Sequence, residues 1–519
     1  MKTKSLVIVG LGSLLVVGTA RAGGIFVPGT APQAQARAGA FVAKADDPSA
    51  VFHNPAGFAK GTGTVIQVGA NFLDYDLKFT RAGGYESPVV DDGGTNPYPT
   101  VEDDSSPALG FGGFQAIPII AVTTDLGLDV KGLRFGAGLF APNGFPEREF
   151  GDYDFEDPGR NPPPNRYDVQ KQDVTAAFPS IGASYTLGKD VLGSAGELDI
   201  GARFSWGFAG LNAESYVWAV RNYDENIATD GFVNLDVKDN FIPTFGLGVL
   251  YRPLPVVEIG LAYNSQATIA AKGESFAALG SGLPALGGVQ EELLPVPDNQ
   301  ANCEPGGEIG ALKSCVTIKL PQTLAVGGRY VFRDPDGSER GDIELDVKWE
   351  NWSAASDYRV VIDGQSSILG VRLREAILGH GLKDVLSVRL GGAYSFPVGP
   401  GKIIVRAGAA YDTATADDEW TRLDIDSAAR TTLAGGLAWQ GSSYRVEAGG
   451  GYVIEPDRTT PVCNPDVDNP DCANFSPNSV SPSPTQPLQG PNNQVISPFN
   501  GGDYSSSYRI LSLGVTTWF

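Results

Sequence analysis

Residues 386–396 read Leu386-Ser387-Val388-Arg389-Leu390-Gly391-Gly392-Ala393-Tyr394-Ser395-Phe396. Apolar side chains recur at every second position, on the face of Leu386, Val388, Leu390, Tyr394 and Phe396, while Ser387, Arg389 and Ser395 take the other. Side chains along a strand point alternately to its two faces, so this is the period of a β-strand and not of a helix. A Pro/Gly turn spans 397–401. Beyond it Ile403, Val405, Ala407, Ala409 and Tyr411 alternate with Ile404, Arg406, Gly408, Ala410 and Asp412. Two such runs joined by a tight turn form an antiparallel hairpin.

The same signal extends in both directions. Leu198, Ile200, Ala202, Phe204 and Trp206 alternate with Asp199, Gly201, Arg203 and Ser205; Ile343, Leu345, Val347 and Trp349 alternate with Glu344, Asp346, Lys348 and Glu350. Strands are expected near 64–80, 112–124, 131–142, 172–187, 195–210, 241–252, 256–270, 316–333, 341–353, 355–363, 385–397, 401–413, 428–440, 443–455 and 504–519. If 341–353 and 355–363 are one long strand, the total is about fourteen, the even number a bacterial barrel requires. Short connections at 125–132, 188–196, 253–255, 334–341, 397–401 and 440–443 alternate with long ones at 81–111, 143–171, 211–240, 271–315, 364–384, 414–427 and 456–503. A soluble sandwich also alternates apolar and polar faces, but this regular short–long succession is that of periplasmic turns and extracellular loops in one closed barrel. Closure also leaves no unpaired backbone edge in lipid. Leu511, Leu513, Val515, Thr517 and Phe519 share one face of the last segment, which ends on an aromatic residue, as the terminal assembly signal of outer-membrane barrels does.

Ahead of the strands, Lys2 and Lys4, the apolar Leu6–Val17 run and Ala20-Arg21-Ala22 have the three parts of a secretory signal, expected at 1–22. Residues 23–62 lack strand alternation and contain Ala45-Asp46-Asp47-Pro48-Ser49-Ala50-Val51-Phe52-His53-Asn54-Pro55-Ala56-Gly57. Small residues and turn formers before a barrel read as a compact plug inside its lumen, with residues 63–519 as the barrel. Here the sequence closely resembles the FadL family of outer-membrane transporters of long-chain fatty acids and other hydrophobic compounds. That family carries an Asn-Pro-Ala motif at this place, matched by Asn54, Pro55 and Ala56, after an Ala/Asp-Asp stretch. The resemblance implies passive, plug-gated import, with Ile25 and Phe26 near the ligand pocket. It also implies a hydrophobic extracellular groove and sideways release where a strand is kinked. Pro118, Pro142, Pro179 and Pro243 are the candidates for such a kink.

Hydrophobic residues make up 42% and aromatics 10% of the 519 residues, with 67 glycines, which suits many short strands with aromatic girdles. The formal charge of −22 argues against nucleic acid as a partner. Expected surroundings are outer-membrane lipid, lipopolysaccharide and the barrel-assembly machinery, around a monomer without cofactor or metal. Asp152, Asp154 and Asp157 offer oxygen ligands, but their spacing fits no calcium loop. Four cysteines fall into two local pairs in Pro/Asn/Gly-rich stretches. In an oxidising compartment Cys303–Cys315 and Cys463–Cys472 are the simplest of the three connectivities.

The chain has 2 histidines, His53 and His380, and no Gly-x-Ser-x-Gly elbow. An outer-membrane phospholipase is therefore a distant alternative to a channel. Parity places Asp199, Arg203, Arg329, Glu344, Asp346, Lys348, Arg389, Arg406, Asp412, Arg445 and Glu447 on the lumen side, where they can seat the plug as ion pairs. Arg329, Arg389 and Arg406 are also candidates to meet a fatty-acid carboxylate. Phe276, Leu279, Leu283, Leu286, Leu293 and Leu294 form an apolar stretch in an expected loop, either packed on itself or serving as a capture surface. Long-chain fatty acids come first as ligand, then aromatic or alkane hydrocarbons. A general porin for polar solutes is the alternative, and it should lack both plug and capture loop.

Overall fold

The computed structural model describes residues 29–85, 97–107, 109–141, 147–151, 162–189, 196–217, 228–282, 286–368, 370–373, 375–425, 427–463, 472, 475–476 and 499–519. Fourteen strands close into one antiparallel ring. They are β1 (Val65–Arg81), β2 (Phe114–Thr124), β3 (Leu133–Phe140), β4 (Lys171–Lys189), β5 (Glu197–Val217), β6 (Gly231–Leu254) and β7 (Val257–Asn264), followed by β8 (Thr323–Arg333), β9 (Glu339–Glu350), β10 (Val385–Val398), β11 (Gly401–Asp412), β12 (Arg430–Gln440), β13 (Tyr444–Ile454) and β14 (Gly502–Trp518). Each pairs with its sequence neighbours, and β14 closes on β1 from Val65↔Trp518 to Arg81↔Gly502. This register satisfies the backbone without an open edge in lipid.

Alternation sorts the side chains as the pleat requires. Val68, Ile120, Ile181, Leu247, Leu261, Val326, Leu345, Leu390, Val405, Leu437, Val446 and Leu513 are exposed around the outside and form the lipid face. Aromatic pairs cluster beside the short turns: Tyr330–Phe332, Tyr394–Phe396 and Trp439–Tyr444, with ring centroids 5.3, 5.1 and 5.3 Å apart. They form the periplasmic girdle.

On the opposite side the wall continues above the ring. The segment Ala267–Leu279 carries on from β7 and pairs with the upper part of β6 and with Leu312–Leu320, which leads into β8. After β9 a 3-10 turn at Trp352–Ala355 interrupts the chain before Asp357–Ile362 pairs with Leu312–Leu320. Residues 341–363 are thus one interrupted strand, and the ring has fourteen members. Several expectations need correction. Residues 211–240 are only partly a loop, because β5 runs to Val217 and β6 begins at Gly231. The expected strand 316–333 is broken between Leu320 and Thr323, and only its second part joins the ring. Residues 271–315 are not simply a loop, because Phe276 and Leu279 belong to a strand. Residues 364–384 likewise include the strand Ala376–Gly379.

β3 leaves the wall after Phe140. Among the described residues no strand fills the space between Ile117–Ile119 of β2 and Asp173–Ala177 of β4. Pro118, Pro179 and Pro243 stay in register opposite Ala70, Leu139 and Trp206; Pro142 lies outside the described residues. In β6 the pairing with β5 shifts between Gly207 and Ala209, and the buried face changes parity across Asn240 and Phe241. Disulfides join Cys303 to Cys315 and Cys463 to Cys472, with Cα separations of 5.6 and 5.8 Å.

Candidate ligand cavity and plug

Residues 29–62 lie inside the ring and are almost wholly buried. The motif explains how so short a segment holds a shape. Asp47 accepts hydrogen bonds from Ser49 N and Oγ at 3.0 and 2.5 Å and starts the helical turn Ala50–His53. Asn54 Oδ1 then accepts from Ala56 N at 3.2 Å and caps the 3-10 turn Pro55–Lys60, in which proline takes the first position and loses no donor. Asn54 Nδ2 donates to Val42 O at 2.9 Å within the plug and to Val249 O at 3.2 Å on the wall. Gly57 lies so close to Ala45 that an added Cβ would stand 2.0 Å from its carbonyl oxygen. The wall is likewise pared to backbone where the plug touches it. A Cβ at Gly248 would stand 2.1 Å from Asn54 Oδ1, and one at Gly408 2.2 Å from the Arg37 carbonyl carbon.

Losing the Asn54 side chain removes a cap and two donations at once. Asn54→Ala should cost the plug about 2 kcal/mol and speed amide exchange at Ala56 about thirtyfold. Unchanged exchange at Ala56 would contradict this role.

Carboxylates on β9 hold the plug from the other side. Asp346 Oδ2 accepts from Phe41 N and Val42 N at 2.8 and 3.0 Å, and Glu344 Oε1 from Ala43 N and Lys44 N at 2.6 and 3.1 Å. Arg37 pairs with Asp342 and Glu344 at 2.7 and 3.1 Å, and Lys60 with Glu258 at 2.7 Å. Arg329 bridges Glu258 and Asp342 at 2.8 and 3.1 Å and also contacts Glu339. Arg406 pairs with Glu447 at 2.8 Å and donates to Gln33 at 2.7 Å, and Arg389 lies 3.6 Å from Asp412. The three arginines considered as carboxylate receptors therefore already face acids. Beneath the plug a polar vestibule of about 440 Å³ opens among Lys44, Asp46, Lys60, Lys402, Arg445 and Phe519.

Above the plug the surroundings are of opposite character. A cavity of about 700 Å³ lies among the upper strands, walled by Val174, Ala209, Leu211, Val233, Leu235, Ile269, Ala271, Val316, Ile318, Val360, Ile362 and Leu378. That volume is in the range of small-molecule pockets, and walls of this kind reward apolar ligand by burial alone. Several wall residues belong to an apolar cluster with Phe178, Val237, Ile242, Ala267 and Leu320. Phe140, the last residue of β3, joins this cluster to the plug: its ring lies 5.5 Å from Phe178 and 4.2 Å from Phe52. Phe140 thus links the plug to the apolar cluster that includes part of the cavity wall, at the point where β3 ends.

One end of the cavity is polar. Arg422 donates through Nη2 to Asp168 at 2.8 Å and through Nε to Asp424 at 3.0 Å, with Phe499 4.8 Å over its guanidinium. Leu423 N donates to the second oxygen of Asp168 at 2.6 Å, and His380 Nε2 lies 2.9 Å from Asp424. Burial pushes the Asp168 carboxyl above the usual carboxylate range. Burial acts on Asp424 too, but Arg422 and His380 outweigh it and hold that carboxyl low. The Tyr358 ring packs 4.5 Å from His380, and burial pushes its hydroxyl above the ordinary range.

None of Phe276, Leu279, Leu286, Leu293 or Leu294 lines this cavity. Leu293 packs with Ala277 and Leu312 against Leu279 and Leu373, a small core in the upper sheet. Phe276 faces Phe232 at 6.2 Å, Leu286 is buried and Leu294 half-buried. Ile25, Phe26, Leu283, Asp152, Asp154, Asp157 and the 1–22 signal lie outside the described residues. His53 stands edge-on to Phe41 in the plug, and His380 joins Asp424 and Arg422, so neither forms a Ser–His arrangement. Sequence reading missed Asp168, Tyr358, Trp420, Arg422 and Asp424, which come from three segments far apart in the chain: the stretch before Lys171, the strand Asp357–Ile362 and the stretch between β11 and β12.

A family model described as "Outer membrane protein transport protein (OMPP1/FadL/TodX)" matches residues 13–460. Among solved structures, a Pseudomonas aeruginosa FadL homologue is similar at 17% identity and a TM-score of 0.64, over 96% of this chain and 100% of that one. The Pseudomonas putida toluene transporter TodX is similar at 14% identity and 0.59, over 95% and 99%. For the Ralstonia pickettii toluene transporter TbuX the values are 16%, 0.58, 95% and 99%. No curated protein matches the chain.

Proposed function

We propose, since the chain belongs to the OMPP1/FadL/TodX family of outer-membrane transport proteins, that it imports hydrophobic small molecules by passive diffusion under control of the plug. It is an outer-membrane channel and not an enzyme. The observation that carries the reading is the succession of compartments along the lumen: apolar cavity, tightly held plug, polar vestibule. An open polar pore would need no apolar store above a plug. The acyl chain of a long-chain fatty acid and the ring of a toluene-like hydrocarbon both suit the cavity walls, each buried methylene contributing about 0.8 kcal/mol. A ligand leaving downward meets charged groups, whereas the β3 gap beside Phe140 offers an apolar way into the bilayer. Sideways release there is part of the proposal, as are the monomeric state and insertion by the barrel-assembly machinery.

The test is uptake of labelled oleate and toluene by cells lacking their own hydrophobic channel, with and without this protein. Uptake of either above the control, without accelerated entry of small sugars, is the expected result. Sugar entry without hydrophobic uptake would favour a general porin.

A further inference from the structure

The polar end of the cavity constrains the head group of whatever enters. Among the described residues lining it, acids number four, Asp168, Glu214, Asp357 and Asp424, against one base, Arg422. The guanidinium is engaged on two edges by Asp168 and Asp424, and Phe499 covers its face. A fatty-acid anion would have to displace one of these carboxylates or enter beside them. It would shed its water into an apolar chamber while meeting charges of its own sign. An uncharged hydroxyl faces neither cost. Tyr358, which also lines the cavity, has a buried hydroxyl with no hydrogen-bond partner among the described residues, a group that a neutral hydroxyl can satisfy after a small shift. We propose that Asp168 and Asp424, by neutralising Arg422, make this cavity select uncharged hydrophobic molecules over fatty-acid anions. Asp168 is the specificity-determining partner, because neutralising it removes one negative charge and leaves the Nη2 edge of Arg422 facing a neutral amide, while Asp424 still balances the guanidinium.

The inference rests on the cavity being the ligand site. Its test compares two probes of matched chain length, dodecanol and dodecanoate. Binding to the full chain in nanodiscs is measured at about pH 8, where the acid is ionised, and corrected with protein-free discs. Dodecanol should bind about tenfold more tightly or better. In Asp168→Asn, which keeps an acceptor for Leu423 N, the ratio of dodecanoate to dodecanol affinity should rise about fivefold or more. Asp424→Asn should move the ratio in the same direction and stands in if the first variant does not fold. Dodecanoate binding as tightly as dodecanol to the unaltered protein would overturn the inference, as would a ratio unmoved in a folded variant. If neither probe binds above the protein-free discs, the cavity reading fails, and the inference with it.

Discussion

Replacing Glu344 and Asp346 together by leucine is expected to release the plug and raise the conductance of the reconstituted channel about tenfold or more. The two carboxylates accept from the backbone of Phe41, Val42, Ala43 and Lys44, and Glu344 also holds Arg37. Leucine fills similar space but accepts nothing, so four buried donors lose their partners at about 1–3 kcal/mol each. The barrel itself does not depend on these contacts. β9 keeps its ladders to β8 and β10, and β14 still closes on β1. The variant should therefore insert and resist denaturation as a barrel while passing small ions and sugars. Conductance equal to that of the unaltered protein would show that other contacts hold the plug.

Filling the cavity should have the second large effect. Ala209 and Ala271 are both buried and face it. Tryptophan at both positions places two indoles where the ligand is expected, and uptake of the preferred hydrophobic probe should fall about tenfold or more. Overpacking costs about 1–3 kcal/mol per site, so folding is checked alongside. Val326→Trp, on the exposed lipid face, serves as the control and should leave uptake within about twofold. Undiminished uptake by the folded double variant would place the route elsewhere.

The parts of this molecule that repeat were legible in the sequence, and the parts assembled from distant pieces were not. Alternation at Leu386–Phe396 gives strand, face and turn together, because the pleat repeats every two residues. The succession of short and long connections gives closure. Parity also sent Arg329, Arg389 and Arg406 inward. Parity carries no depth, however, and at the level of the plug they meet Glu258, Asp412 and Glu447 instead of a ligand. The Phe276–Leu294 stretch read as a loop because Gly, Ala and Pro interrupt it. In the folded chain its first part adds to a sheet edge supplied by β6, with Phe276 opposite Asn234 and Leu279 opposite Gly231, more than forty residues upstream. The cavity's polar end needs Asp168, Tyr358, Arg422 and Phe499 from four separate segments, and no local pattern announces such a meeting. The Asn54-Pro55-Ala56-Gly57 motif was visible because its chemistry is local: a cap, a first-turn proline and a close approach.

The most direct test of the account is to soak crystals of the protein with bromododecane and locate the bromine by its anomalous scattering. A bromine site is expected inside the cavity bounded by Leu211, Ile269 and Val360, above Phe140 and the plug. Bromine found only against the lipid-facing wall, with the cavity empty, would contradict it.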